Sequence, residues 1–446
     1  MKTKIILFFI LINTFFNSAK AQNVSYTVFD EILFYDGYAT VVDYPVPEGV
    51  IRHRNDLYAR KLTEDVLASF GDQITINVTI KAACDNYDRI GNVNLAFVPK
   101  GQNTYDPNAV QKIEVGRYIT PFMDKNVSPD EVPYSYTADN LGEIFKDNSI
   151  IANYDIWVEL ELFGVPYAAN TEIAGCSGRS DVFFGTLEIV STGTLEQNNR
   201  NFLLPLSMKA NFNNYQEGAS DAIGTTTKTI TFTLAEAIEN AKLYLIISNH
   251  GAGSGGEEYV RRWHYVYFDG TLRLFYKPSG ISCEPYRVYN TQPNGIYGTT
   301  PQSTTWWASW NNWCPGNSIP IKEVDLGDLT AGTHTFVISV PDAQFVNQDG
   351  NFPLSLYLQG QYIETAGLTS FDETSLNIYP NPATDFLTID TSENIANLKV
   401  VNILGERMSC KLNSNRLDIS HLEAGIYIVQ VEFENGVKLN NKIVKQ

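Results

Sequence analysis

The sequence predicts an all-β protein, and three observations carry that reading. Apolar and polar residues alternate with period two in Ile74–Ile80, Ile156–Leu162, Thr227–Leu234 and Thr333–Val340, the pattern of half-buried strands. Clusters of Gly, Asn, Asp and Pro separate these runs. Between His264–Phe268 and Thr271–Phe275 stands Asp269-Gly270, a pair that tolerates the positive φ of a two-residue hairpin turn. Only Arg60–Phe70 and Ala235–Lys242 read as short helices. The strands are short, the loops long, and no repeat of blade length recurs, so sandwiches or jelly rolls fit better than a propeller.

The chain has 446 residues, enough for about three domains. Met1–Ala21 opens with Lys2 and Lys4, continues through an apolar run, and ends Ala19-Lys20-Ala21. It reads as a secretory leader; its apolar core, broken by Asn13 and Asn17, is too short for a membrane anchor. The polar stretch Ser191–Arg200 separates a first domain, 22–190, from a second, 200–363, and a further linker near Glu364–Glu373 precedes a tail at 375–446. No later segment approaches spanning length, so an exported protein without an integral membrane segment is expected.

A formal net charge of −18 and a sequence pI of about 4.7 oppose binding to nucleic acid or anionic lipid. Five histidines and five cysteines are scattered without metal-ligand spacing, so neither metal nor organic cofactor is expected. The same scatter of His, with only four Met, argues against a copper monooxygenase on paired jelly rolls. Export makes disulfides possible among Cys84, Cys176, Cys283, Cys314 and Cys410.

Two separated segments concentrate the chemistry. The first is Cys84-Asp85-Asn86-Tyr87-Asp88-Arg89; the second is Gly256-Glu257-Glu258-Tyr259 with Arg262 and His264, followed by the aromatic run Trp306–Trp313. Carboxyls beside several tryptophans suit sugar binding joined to acid/base work. Taken on spacing alone, Asp88–Arg89 reads more readily as a surface ion pair and Glu257–Glu258 as a solvated loop. Four tryptophans in a loop rich in Asn, Ser and Gly cannot all be buried, so at least one is expected to stack on sugar.

In order along the chain, Cys84-Asp-x-Tyr-Asp-Arg-x-x-Asn-Val93, Glu114-Val-Gly-Arg-Tyr-Ile-Thr-Pro121, Ile247-Ser-x-x-Gly251 leading to Glu258-x-x-x-Arg262-x-His264, and Trp313-Cys-Pro-Gly316 resemble the peptide:N-glycosidase F family over roughly Val24–Glu364. The resemblance implies two adjacent eight-stranded jelly rolls and an amidase that hydrolyses the glycosylated asparagine side chain of N-glycoproteins or glycopeptides. It places the principal catalytic role on Asp88, a second on Glu258 and a third on Glu161, with Glu159 two residues away on the same face as the alternative. Two carboxyls in different environments would divide the work, one kept ionised by Arg89 and the other raised by burial or its acidic neighbour. Substrate contacts fall on Tyr87, Arg89, His250, Arg262, Trp310 and Trp313; His250 and Trp310 stand where the family has a tryptophan and a basic residue. The family pattern retains Cys283–Cys314. It loses two small-loop disulfides, because Ala82 and Val260 replace cysteines, which leaves Cys84 to pair with Cys176. That partner lies in an insertion, Gly164–Asp181, read as a lid over the cleft. A single chain suffices for such a cleft, so a monomer is expected. The rival reading is a glycan-binding protein or adhesin on the same scaffold without turnover.

The tail motifs Ser375–Ala383, Val400–Glu406, Leu422–Val431 and Lys442–Gln446 resemble the C-terminal sorting domain of the type IX secretion system. The resemblance implies a small β-sandwich, engagement of that secretion machinery, and delivery across the outer membrane to the medium or cell surface.

Overall fold

The computed structural model describes residues 23–215, 225–254, 256–292, 295–363, 376–391, 393–402, 406–434 and 438–446. The expected leader and the linker at Glu364–Glu373 lie outside these residues. Among the described residues no helix is long and apolar enough to cross a membrane.

The first part of the chain folds into nine antiparallel strands: β1 (Val24–Tyr35), β2 (Val50–Arg54), β3 (Leu57–Lys61), β4 (Gln73–Ala82), β5 (Ile90–Pro99), β6 (Gln111–Ile119), β7 (Glu131–Thr137), β8 (Tyr154–Leu162) and β9 (Asp181–Thr192). They form a sheet β1-β9-β4-β7 facing a sheet β2-β3-β8-β5-β6. Alternation in β4 drives the packing: Ile74, Ile76, Val78 and Ile80 point into the core, where they meet Val93, Leu95, Val158 and Leu160 of the opposite sheet. The short hairpin β2–β3 makes this jelly roll nine-stranded rather than the expected eight.

Eight strands follow: β10 (Asn201–Phe212), β11 (Thr227–Leu234), β12 (Ile238–Ile247), β13 (His264–Phe268), β14 (Thr271–Tyr276), β15 (Lys322–Leu329), β16 (Gly332–Ser339) and β17 (Phe352–Tyr362). Their sheets are β10-β17-β12-β15 and β11-β16-β13-β14. Asp269 and Gly270 take φ of 48° and 75°, the turn expected between β13 and β14. The helix expected at Ala235–Lys242 is instead the start of β12. Ile238, Ala241 and Leu243 are fully buried between the sheets, Asn240 takes φ 54° at a bulge in the pairing with β15, and tertiary burial overrides a helical local pattern. The other expected helix is confined to Glu64–Ser69 behind the N-cap Thr63, because Arg60 and Lys61 pair with β8.

The two jelly rolls meet along β6. Arg117, fully buried, donates from Nε and Nη2 to Glu114 at 2.8 and 2.7 Å, and from Nη1 to Ser248 Oγ at 2.9 Å and the Pro353 carbonyl at 2.7 Å. Glu114 also accepts from the Ser355 hydroxyl. Backbone bonds extend β6 onto the second jelly roll: Ile119 N–H donates to Asn317 O at 3.0 Å and Ile319 N–H to Arg117 O at 2.8 Å. A buried ion pair hydrogen-bonded on every nitrogen of its guanidinium fixes orientation more than it adds stability.

The tail, residues 364–446, is a separate unit. Its two four-stranded sheets close on Leu387, Val400, Leu417, Val429 and Ile443. Cys410 there is unpaired.

Candidate active site

At the end of β4 the chain leaves one sheet of the first jelly roll through Cys84–Arg89 and enters the opposite sheet as β5. Asp85, fully buried, organises this loop. It accepts from Arg89 Nε at 2.6 Å and Nη2 at 3.2 Å, from Tyr87 N–H at 2.9 Å, and from Val165 N–H at 2.7 Å. Arg89 N–H in turn donates to Thr120 Oγ1 at 2.7 Å. Cys84 is bonded to Cys176 and Cys283 to Cys314, the two pairings expected. The arginine thus pairs with Asp85, not with Asp88 as expected, because the fork geometry matches the buried carboxylate. Asp88 is left to face a cavity.

The second acid-bearing loop repeats the device. Glu257, also buried, accepts from Arg262 Nε at 2.8 Å and Nη2 at 3.3 Å and from Gln344 N–H at 2.7 Å. Arg262 is therefore engaged in an ion pair with Glu257, and it is not among the residues that line the cavity holding Asp88 and Glu258. Asn312 Nδ2 donates to the carbonyls of Glu257 at 3.0 Å and Val260 at 3.3 Å and to that of Glu258. Gly256 is obligatory, since a Cβ there would fall 1.8 Å from Gly251 O. Glu258, released from the clamp, accepts from Gly251 N–H at 3.0 Å and from the Tyr259 hydroxyl.

Asp88 and Glu258 line one cavity of about 310 Å³ at the junction of the jelly rolls. Arg89, Ile90, Ile119 and Phe163 form its first-domain wall, His250 and Trp313 its second. Burial first, and then the charge of Glu258, push the Asp88 carboxyl up to about 7, against the opposing pull of Arg89. Burial raises Glu258 as well, opposed by the Tyr259 and Gly251 hydrogen bonds. His250 is neutral: burial and the nearby Arg117 push its ring down to about 3. Its Nε2 lies 2.7 Å from Ser248 Oγ, so the Arg117 network reaches the cavity through Ser248. Trp313 sits 5.7 Å from the His250 ring and donates from Nε1 to Asn249 O at 2.8 Å.

The remaining candidates lie apart. Glu161 lines a different cavity of about 290 Å³ with Arg54, Lys112 and Lys209. Although burial raises it, Lys209 and Arg54 prevail and hold its carboxyl below the ordinary range; Arg54 Nη2 donates to it at 2.9 Å and Lys209 Nζ reaches it from β10. Glu159 is tied up by Tyr105 at 2.9 Å and Lys112. Trp310 is outside the cavity lining, packed 5.3 Å from Tyr259 and 5.6 Å from Trp307. Tyr87 stands behind Arg89, whose guanidinium lies 5.5 Å above its ring. Among the four clustered tryptophans, Trp307 is fully buried with Nε1 bonded to Glu284, and Trp306 is 41% exposed. None of residues 164–181 lines the cavity itself, so the insertion does not enclose Asp88 and Glu258 as the expected lid would. Its helical part packs against the Asp88 loop, where Glu172 accepts from Asn86 Nδ2 at 2.7 Å.

Sequence reasoning passed over Phe163, Tyr259 and Asn312. Phe163 directly follows β8 at the start of the insertion, and Tyr259 and Asn312 sit inside quoted motifs, but no periodicity distinguishes them. Among the described residues, no three His, Cys, Asp or Glu side chains converge as metal ligands.

Family models for the N-terminal and C-terminal domains of peptide-N-glycosidase F match residues 25–177 and 218–359, and a model for the secretion system C-terminal sorting domain matches 377–446. No curated relative matches. Among solved structures, PNGF-II is 20% identical with a TM-score of 0.55, covering 77% of this chain and 66% of that one, so this chain spans just under two thirds of PNGF-II. PNGase F, a glycosylasparaginase from Flavobacterium meningosepticum, is 15% identical with a TM-score of 0.48 over 76% of this chain and 96% of that one. The sorting domain marks export by type IX secretion to the surface or the medium. With both jelly rolls matched in order and the tail matched separately, the chain belongs to the peptide-N-glycosidase F family and carries a type IX secretion sorting domain.

Proposed function

We propose that the protein is an exported amidase that hydrolyses the glycosylated asparagine side chain of N-glycoproteins or glycopeptides, releasing the glycan and leaving aspartate. The observation that carries this reading is the meeting of Asp88 and Glu258, one from each jelly roll, in a single half-apolar cavity. Amide hydrolysis needs a water aimed at the carbonyl carbon and a proton for a poor amine leaving group. Asp88, raised to about 7, keeps its proton in about half of the molecules at neutral pH and in most of them below it, and is suited to deliver that proton to the departing nitrogen. Glu258, raised by burial but accepting hydrogen bonds from Tyr259 and Gly251 that oppose the rise, is suited to take a proton from the attacking water. The water oxygen ends in the new carboxyl, and the glycan leaves as a glycosylamine that loses ammonia in solution. Rate should therefore fall as pH rises through about 7, where Asp88 loses its proton.

Trp313 and Phe163 supply apolar faces for the first sugar. Glu161 takes a positioning role in this reading, because its pair with Lys209 ties β8 of the first jelly roll to β10 of the second. Both acids come from one chain, so no second copy is required. The test is mass spectrometry of an N-glycopeptide incubated in heavy-oxygen water. Asn-to-Asp conversion with label uptake by the wild type, abolished in Asp88→Asn, supports the amidase; intact glycopeptide with measurable binding moves the reading to a glycan-binding protein.

A further inference from the structure

The aromatic surface of the cavity does not end at Phe163. The Tyr38 ring stands edge-on to it, 5.0 Å away with planes at 71°, and Tyr38 is 74% exposed. Tyr167, at 59% exposed, hydrogen-bonds through its hydroxyl to Asp36 and lies within electrostatic reach of Tyr38. Isolated exposed aromatics need no explanation, but rings continuous with a ligand cavity do.

Both rings stand on pinned segments. Asp36 N–H donates to Ser180 O at 2.8 Å, Gly37 N–H to Gly164 O at 2.9 Å, and Tyr38 N–H to Asp36 Oδ1 at 3.0 Å. Asn55 Nδ2 donates to the carbonyls of Asp36 at 2.8 Å and Thr40 at 3.2 Å. A Cβ on Gly37 would fall 2.6 Å from the Phe163 ring, so glycine there lets Phe163 lie against the Tyr38 loop. The Cys84–Cys176 bond holds the Tyr167 segment to the Asp88 loop. Rings fixed before binding lose little freedom on contact.

We propose that Tyr38 and Tyr167 extend Phe163 into a platform at the cavity mouth that stacks neutral sugars of the glycan beyond those reaching Asp88 and Glu258. The proposal rests on the amidase reading for which part of the substrate occupies the cavity. Tyrosine offers an apolar face to sugar C–H groups and a hydroxyl for their polar edges. The buried Asp36 at its base and a net charge of −18 disfavour acidic sugars. Peptide sequence varies among glycopeptides, whereas the glycan core recurs, so a fixed set of rings fits the glycan.

The test compares the wild type with Tyr38→Ala, Tyr167→Ala and the double variant on one peptide bearing either a two-sugar N-acetylglucosamine stub or a full high-mannose glycan. The double variant should raise KM for the high-mannose substrate about tenfold, the equivalent of 1.4 kcal/mol, with kcat held and KM for the stub within about twofold. Unchanged KM for both substrates overturns the platform. So does an equal rise for both that follows peptide length, which would assign the surface to polypeptide. If the wild type turns over neither substrate, the amidase reading falls by itself. Calorimetric titration of the free high-mannose oligosaccharide then decides: a Kd about tenfold weaker in the double variant upholds the platform, and equal Kd overturns it.

Discussion

The two acid-bearing loops solve one problem with the same chemistry and different anchors. In each, a fully buried carboxylate takes an arginine fork, Asp85 with Arg89 and Glu257 with Arg262, and a nearby acid is thereby left for the cavity. The first loop is fastened covalently through Cys84–Cys176. The second is held by Asn312 on its carbonyls and by glycines that let its backbone approach itself. The comparison teaches that an acid beside an arginine in sequence is not thereby its partner. The clamp and the free acid are distinct jobs, and only the fold assigns them.

The comparison breaks first at the free acids. Asp88→Asn and Glu258→Gln should each lower turnover by about 10²–10⁴-fold while leaving circular dichroism near the wild type and costing no stability; a drop for only one would deny the shared device. Breaking a clamp should show in stability. Glu257→Gln leaves Arg262 without its carboxylate and should cost about 3–5 kcal/mol in denaturant unfolding, with lost activity following lost fold. The anchors differ next: Cys176→Ser should cost about 2–4 kcal/mol, and reducing agent should destabilise the first jelly roll accordingly.

A smaller effect has a definite sign. The raised carboxyl of Asp88 contributes stability that is fully present below its ordinary value of 3.8 and is lost as pH rises through about 7. Asp88→Asn should therefore gain on the wild type by about 1–3 kcal/mol at pH 8 and far less at pH 4, measured by denaturant titration at both. Smallest of all, Glu161→Gln should change kcat by less than about tenfold, because Glu161 is occupied by Arg54 and Lys209 away from the cavity.

Much of this was legible in the residues. Period-two alternation located β4, β8, β11 and β16 within a few residues, and Asp269-Gly270 located a hairpin, because those signals are local. The motif register singled out Glu258 over Glu257, and the cavity receives Glu258. What sequence did not carry was three-dimensional competition for partners. Arg89 had two acids within reach and took Asp85; Arg262 took Glu257. Glu161, one of two glutamates alternating along a strand, met Lys209 from a strand far off in sequence. The segment at Ala235–Lys242 misled for a similar reason: its helical pattern is local, whereas the burial of Ile238 and Ala241 between two sheets is not.

The central claim is that Asp88 and Glu258 act as one coupled pair across the junction of the two jelly rolls. Carbon-13 NMR titration of the Asp88 carboxyl, in the wild type and in Glu258→Gln, tests it most directly. A titration near 7 in the wild type that falls clearly toward the ordinary carboxylate value once the Glu258 charge is gone is the predicted result. An Asp88 carboxyl that titrates identically in both proteins would contradict it.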